Sequence, residues 1–134
     1  MNHPFAKLPM AMRDSDLYQT ELEKGFVRFP ERRRNFERHS AATTSETVDY
    51  LPITLDIENV SRCNFRCTMC QVSTWPKQKR ADDMSFADFK ALLDQQYGLI
   101  EIKLQGMGEP LLNADTYFEM IRYARERHLW VRST

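Results

Sequence analysis

Residues 53–58 read ITLDIE and alternate strictly between apolar and polar side chains, which is the period of a β-strand. A cysteine-rich loop, SRCNFRCTMC at residues 61–70, follows almost at once. Residues 99–104, LIEIKL, show the same alternation and lead into a glycine-containing turn, QGMGEP at residues 105–110. Each predicted strand therefore runs directly into a loop of unusual composition.

Helical patterns separate the predicted strands. Ser85 is placed to cap a helix whose apolar stripe continues until Gly98, where we expect the helix to end. Asn113 or Asp115 is expected to cap the next helix, and residues 129–134 are expected to form a third strand. The order strand, helix, strand, helix, strand predicts parallel βα units and hence an α/β fold.

The first part of the chain has a different character. Ser15 is placed to cap a short helix that would end at Gly25. The basic stretch at residues 32–39 is typical of a solvated surface segment, with a basic patch for an anionic substrate as the alternative. We therefore divide the chain into an N-terminal extension at residues 1–50, partly helical and partly flexible, and a domain at residues 51–134.

The composition is that of an ordinary globular protein. Of 134 residues, 42% are hydrophobic and 28% charged. Nineteen basic side chains balance nineteen acidic ones, so the net charge indicates neither a nucleic-acid nor a membrane partner. The chain contains no apolar run of the roughly 20 residues that a membrane helix needs, and its start lacks the apolar core of a secretory signal. We therefore expect a cytoplasmic location.

The length of the predicted domain limits its architecture. Residues 53–134 span about two and a half βα units at roughly 30 residues each. This is too short to close a barrel, and a strand at the end of the chain would leave an open edge. We expect the chain to be the first part of a longer domain, and the isolated chain to be inactive.

The three cysteines of the chain, Cys63, Cys67 and Cys70, lie within eight residues. An odd number at such short spacing is a poor disulfide framework, and clustered thiols in a reducing compartment are more often metal ligands or redox groups. A structural zinc site and a complete cysteinyl cluster both require four ligands. Three cysteines on an iron–sulfur cluster would leave one iron open to a substrate.

Cys-x3-Cys-x2-Cys at the end of the first strand of a βα series resembles the radical SAM superfamily. The resemblance implies that Cys63, Cys67 and Cys70 hold a 4Fe–4S cluster, whose fourth iron binds S-adenosylmethionine (SAM). One-electron reduction would cleave SAM to methionine and a 5′-deoxyadenosyl radical that abstracts hydrogen from an unknown substrate. The implied fold is an incomplete (β/α)6 partial barrel, of which this chain would supply about the first three strands and two helices.

The turn after the second predicted strand carries a second resemblance. Residues 106–110, GMGEP, are similar to the family's Gly-Glu-Pro motif, which binds the amino group of SAM. The resemblance implies cofactor binding by Gly106, Gly108, Glu109 and Pro110. The residue before the last cysteine is usually aromatic in this family and lies near the adenine. It is Met69 here, to which we assign the same contact because a flexible thioether can cover a ring.

The sheet offers one further expectation. In a parallel barrel, one strand face points to the lumen, so Thr54, Asp56 and Glu58 are expected there, with solvent exposure as the alternative. Because a charge buried inside a complete barrel needs a partner, Glu58 and Lys103 are a candidate ion pair.

The resemblance also implies an electron donor such as flavodoxin or ferredoxin, and oxidoreductase or transferase chemistry. The alternative is a non-catalytic iron–sulfur or zinc module for electron transfer or structure. Within the family, GMGEPLLN at residues 106–113 is similar to the RNA methyltransferases. CNFRC at residues 63–67 is similar to members that often carry a C-terminal domain for auxiliary clusters.

Overall fold

The computed structural model describes residues 14–76 and 80–133. The strands form one parallel sheet in the order β1-β2-β3. Along the chain the elements are α1 (Ser15–Arg28), α2 (Pro30–Ala41), β1 (Thr54–Ile57), α3 (Phe86–Gln95), β2 (Glu101–Leu104), α4 (Ala114–Glu126) and β3 (Trp130–Arg132). The predicted α/β class is thus confirmed, as is the alternation of strands and helices. The first 13 residues of the predicted extension, and Thr134 of the predicted third strand, lie outside the described residues.

The apolar faces of the sheet, α3 and α4 share one core. Ile102 and Leu104 of β2 are fully buried, and so are Phe89 of α3 and Met120 of α4. Each such side chain stabilises the fold by about 1.5–3 kcal/mol through its removal from water. The described helices include none long and apolar enough to cross a membrane.

The strand register fixes where the loops emerge. Ile57 of β1 lies beside Leu104 of β2 in a parallel ladder. The residues that follow the two strands therefore leave the sheet at the same edge, side by side. This edge carries both loops that the sequence analysis singled out.

The ends of α3 show one correct and one wrong prediction. The hydroxyl of Ser85 caps the helix by accepting a hydrogen bond from the backbone N–H of Asp88 at 3.0 Å. Gly98 does not end the helix, which stops at Gln95, and Gly98 has no left-handed backbone angle. It is buried, and a Cβ atom there would lie 2.4 Å from the side-chain nitrogen of Asn35. Gly98 is a glycine because α2 packs directly against it.

The described part of the predicted extension contains two helices, α1 and α2, where the sequence analysis expected one. Asp14, rather than Ser15, caps α1 by accepting from the N–H of Leu17 at 2.9 Å. The helix then runs through Gly25 instead of ending there. The basic stretch expected to be solvated forms most of α2, in which Arg32 is only 5% exposed.

Buried polar contacts attach α1 and α2 to the rest of the chain. Asn35 is fully buried and pairs with the backbone of Leu51 in both directions, donating at 3.0 Å and accepting at 2.8 Å. Arg32 donates to the carbonyl of Arg127 at 2.7 Å, and burial lowers the pKa of Arg32 to about 10. Since apolar periodicity does not report contacts of this kind, the sequence analysis missed them.

Glu21 of α1 makes the stability of this attachment depend on pH. Its carboxylate accepts from Lys24 at 2.8 Å and lies 3.1 Å from Nδ1 of His128. Hydrogen bonds from these two side chains lower the pKa of Glu21 to about 2, against about 4.3 for an unfolded glutamate. Because the folded pKa is the lower one, the stabilisation is present above the unfolded pKa and is lost as the pH falls towards the folded value.

Glu21→Gln is therefore expected to flatten the acid limb of the stability curve. Urea unfolding of wild type, Glu21→Gln and the exposed control Glu37→Gln, measured from about pH 5 down to about pH 2, checks this. Wild type and control should lose stability in parallel over that window, and Glu21→Gln should lose less. Three parallel curves would contradict the prediction.

Candidate functional site

Two loops meet at the carboxyl edge of the sheet. We call residues 58–84, between β1 and α3, the cysteine loop, and residues 105–110, after β2, the glycine loop. The backbone N–H of Glu109 donates to the carbonyl of Arg62 at 2.9 Å. Nε2 of Gln71 lies 3.7 Å from the sulfur of Met107. Backbone and side-chain contacts therefore join the two loops into one unit.

The cysteine loop is closed at its base. Arg62 donates to both carboxylate oxygens of Asp83, from Nε at 3.1 Å and from Nη2 at 2.6 Å. The hydroxyl of Ser61 donates to the carbonyl of Ala81 at 2.6 Å. A forked arginine–carboxylate pair fixes orientation as well as distance. The cysteines thus lie in an excursion whose two ends are tied together.

The structure places the three cysteines in this excursion, and none of the three is in a disulfide bond. Cys63 and Cys70 are half-buried and Cys67 is exposed, and the N–H of Cys70 donates to the carbonyl of Cys67 at 3.1 Å. Within residues 14–76 and 80–133, no three His, Cys, Asp or Glu side chains lie where they could hold a metal ion. The donor set fits a cluster chemically, since thiolates are its ligands. The three sulfurs do not converge, so the loop would have to rearrange around a cluster.

Large apolar side chains on the cysteine loop face solvent. Met69 is 95% exposed, Phe65 57% and Trp75 46%. Exposed apolar groups of this size, close together in one loop, are typical of a surface that binds something. Contact of Met69 with an adenine stays a prediction. The sequence pattern did not single out Phe65, which lies between Cys63 and Cys67, or Trp75, which lies five residues after Cys70.

Neighbouring parts of the chain occupy the space that a side chain would need at either glycine of the glycine loop. A Cβ atom on Gly108 would lie 2.0 Å from the carbonyl oxygen of Val60, and one on Gly106 would lie 2.3 Å from Oε1 of Glu58. Neither glycine has a left-handed backbone angle. Their need is steric, because the cysteine loop passes directly over the glycine loop. Cofactor binding by Gly106 and Gly108 remains a prediction.

Glu109 and Pro110 begin a short 3-10 turn, Pro110–Asn113, that leads into α4. Oε1 of Glu109 caps this turn by accepting from the N–H of Leu111 at 3.0 Å. Pro110 is buried at the first position, where its missing N–H costs no hydrogen bond. Among the described residues, Oε2 of Glu109 has no hydrogen-bond partner. The carboxylate is therefore part of the turn and still has one oxygen to offer a ligand.

The predicted ion pair between Glu58 and Lys103 is wrong. Oε1 of Glu58 instead accepts from the backbone N–H of Met107 at 2.6 Å and from that of Gly108 at 3.3 Å. Glu58 is the first residue beyond β1, so it no longer faces the neighbouring strand. Of the other side chains expected on that face, Thr54 is exposed.

Comparison with known proteins bears on this pair of loops. The family model of the radical SAM superfamily matches residues 58–133, which contain both of them. The chain belongs to the radical SAM superfamily. It is also 33% identical over 76 residues to the tungsten-containing aldehyde ferredoxin oxidoreductase cofactor-modifying protein of Pyrococcus furiosus. That alignment covers 54% of this chain and 20% of the relative, so the chain spans about a fifth of the relative's length. No solved structure matches the chain.

The resemblance seen in the sequence is thereby confirmed. A radical SAM domain supports the general enzyme class, together with iron–sulfur and SAM binding. The sheet and helices are consistent with part of the radical SAM fold.

Proposed function

We propose that the protein is a radical SAM enzyme in which Cys63, Cys67 and Cys70 bind a 4Fe–4S cluster with one open iron. When bound, the cluster supplies the electron that cleaves SAM to methionine and a 5′-deoxyadenosyl radical, which takes hydrogen from substrate. The observation that carries the proposal is the junction of the two loops. The N–H of Glu109 donates to the carbonyl of Arg62, the residue before the first cysteine. A cofactor bound at the cysteines would therefore meet the glycine loop.

The glycine loop supplies acceptors for the amino group of SAM. An ammonium group has three N–H donors and no acceptor, so it needs oxygens around it. Oε2 of Glu109 has no partner among the described residues, and a carboxylate strengthens a hydrogen bond from a cation. Gly106 and Gly108 let Glu58 and the cysteine loop pack closely against the glycine loop, and buried Pro110 fixes the exit from the loop. We assign the amino-group site to these four residues.

The cysteine loop supplies the apolar part of the site. Met69 covers the adenine, and Phe65 and Trp75 are exposed beside it on the same loop. Covering the cofactor with apolar side chains excludes water, which protects a reactive radical from quenching. The exposed face of β1, with Thr54 and Asp56, would then line the lumen of a (β/α)6 partial barrel.

The remaining parts of the proposal concern the whole protein. An external donor such as flavodoxin or ferredoxin would reduce the cluster, in the cytoplasm, for an oxidoreductase or transferase reaction. The relative from Pyrococcus furiosus is named as a cofactor-modifying protein. That name favours an enzyme acting on another molecule over a module that only carries electrons or holds zinc.

Anaerobic reconstitution of the chain with iron and sulfide tests the proposal. The expected product is brown, holds about four irons per chain, and changes its electron paramagnetic resonance signal when SAM is added. A zinc module would be colourless and silent. A cluster whose resonance signal does not change when SAM is added would instead favour the electron-transfer module and contradict the proposal.

Glu109→Ala is expected to weaken SAM binding about tenfold or more, because a hydrogen bond to a charged group contributes about 1.5–3 kcal/mol. Its cluster content should stay at the wild-type level, since Glu109 is not a ligand. Titration of the resonance signal with SAM measures the affinity.

Glu109→Gln is the matched control for the turn. Its amide oxygen can still accept from the N–H of Leu111, so the cap survives while the charge is lost. If Glu109 only caps the turn, glutamine should bind SAM as the wild type does. Affinity lost in both variants supports a cofactor role.

A further inference from the structure

Glu58 stands where the cysteine loop leaves β1, and its side chain reaches across to the glycine loop. Oε1 accepts from the backbone N–H of Met107 at 2.6 Å and from the N–H of Gly108 at 3.3 Å. A carboxylate that accepts from backbone amides makes charge-assisted hydrogen bonds, which are roughly twice as strong as neutral ones. One side chain thus holds two consecutive peptide groups.

The sequence keeps space for this carboxylate. A Cβ atom on Gly106 would lie within 2.4 Å of three atoms of Glu58, namely Cγ, Cδ and Oε1. Glu58 is exposed, so its bonds to the glycine loop are not needed to satisfy a buried charge. The contact therefore has a role other than compensating for the burial of a charge.

The geometry of the peptide group shows what the contact achieves. All described peptide bonds are trans, and in a planar trans peptide the carbonyl points opposite to the following N–H. Holding the N–H groups of Met107 and Gly108 towards Glu58 turns the carbonyls of Gly106 and Met107 to the opposite side of the loop. Carbonyl oxygens on that side are acceptors for an ammonium group.

We propose that Glu58 is a positioning residue of the SAM site. Its carboxylate fixes the peptide planes of the glycine loop, so that the carbonyls before Met107 and Gly108 are already oriented for the amino group of SAM. The inference rests on the proposed function, and adds to it a residue that lies outside both the cysteine motif and the glycine motif. Preorganisation of this kind raises affinity because the loop loses less freedom on binding.

The test compares Glu58→Ala, Glu58→Gln and the control Glu119→Gln, an exposed glutamate on α4. Amide hydrogen exchange at Met107 and Gly108 reports the contact directly, and SAM titration of the reconstituted chain reports affinity. Alanine should speed exchange and weaken SAM binding, each about tenfold, whereas glutamine keeps an acceptor oxygen and should stay within about threefold of wild type. Iron content should not change in any variant, and the unfolding midpoint should shift only slightly, in Glu58→Ala alone.

The outcomes are separable. If Glu58→Ala binds SAM as tightly as wild type, or loses affinity only together with iron content and stability, the inference is overturned. If Glu58→Gln binds SAM as weakly as Glu58→Ala, both about tenfold weaker than wild type, the hydrogen-bond mechanism on which the inference stands is overturned. If the resonance signal of the wild type does not change when SAM is added, the proposed function is overturned. The role of Glu58 in cofactor binding is then overturned as well.

Discussion

Replacing Cys67 by alanine is expected to abolish the stable brown chromophore that wild type forms on reconstitution. With three thiolate ligands, a four-iron cluster has one iron without a protein ligand. Losing one thiolate leaves two irons without a protein ligand. Cys67 is exposed and its side chain fills no part of the core. The fold should therefore survive the substitution, and the effect should be confined to the metal site.

Iron and sulfide content, with the visible absorbance, are the measurements. Iron should fall from about four per chain to a small remainder, and Cys63→Ala and Cys70→Ala should behave alike. Thr68→Ala is the matched control, since Thr68 is the exposed neighbour of Cys67 and offers no thiol. Full iron content together with a wild-type response of the resonance signal to SAM in any one cysteine variant would show that the ligand assignment is wrong.

The part of this fold that local sequence determines was predictable. Alternation in β2 placed Ile102 and Leu104 in the core, and the spacing at Ser85 gave the start of α3. Both depend on residues within a few positions of each other. The spacing of the cysteines and the GMGEP turn likewise identified both loops of the site before any coordinates.

What the sequence did not reveal are contacts between distant residues. Glycine is a common residue at helix ends, but Gly98 is a glycine because Asn35 of α2 lies against it. Glu58 follows a strand pattern, but its partners lie about fifty residues later in the chain. Neither relation has a local period. The arrangement of the sulfurs is a further case, because loop geometry depends on the group that the loop binds.

Gly108→Ala is expected to have a large effect on both stability and SAM binding, although it leaves the cysteines intact. The added Cβ would lie 2.0 Å from the carbonyl oxygen of Val60 and 2.7 Å from that of Arg62. Both atoms belong to the backbone, so no change of rotamer can relieve the overlap. The two loops would have to separate, which breaks the bond from the N–H of Glu109 to Arg62.

The expected loss in the free energy of unfolding is about 3 kcal/mol, from about 1–3 kcal/mol for overpacking and about 1 kcal/mol for each hydrogen bond lost. Urea unfolding measures it, and the reconstituted variant should also lose its response to SAM. The loss of affinity should exceed that of Glu109→Ala, because the whole glycine loop is displaced.

Gly106→Ala provides the comparison that isolates the cause. The three heavy atoms nearest to its Cβ all belong to the side chain of Glu58, with Oε1 at 2.3 Å. A change of rotamer can move the whole Glu58 side chain away, so stability should fall by only about 1 kcal/mol while SAM binding weakens as in Glu58→Ala. Equal stability of the two glycine variants would contradict the close backbone contact at Gly108. A large loss at Gly108 and a small one at Gly106 would show that the two glycines serve different ends, one allowing the loops to touch and the other making room for the carboxylate that orients them.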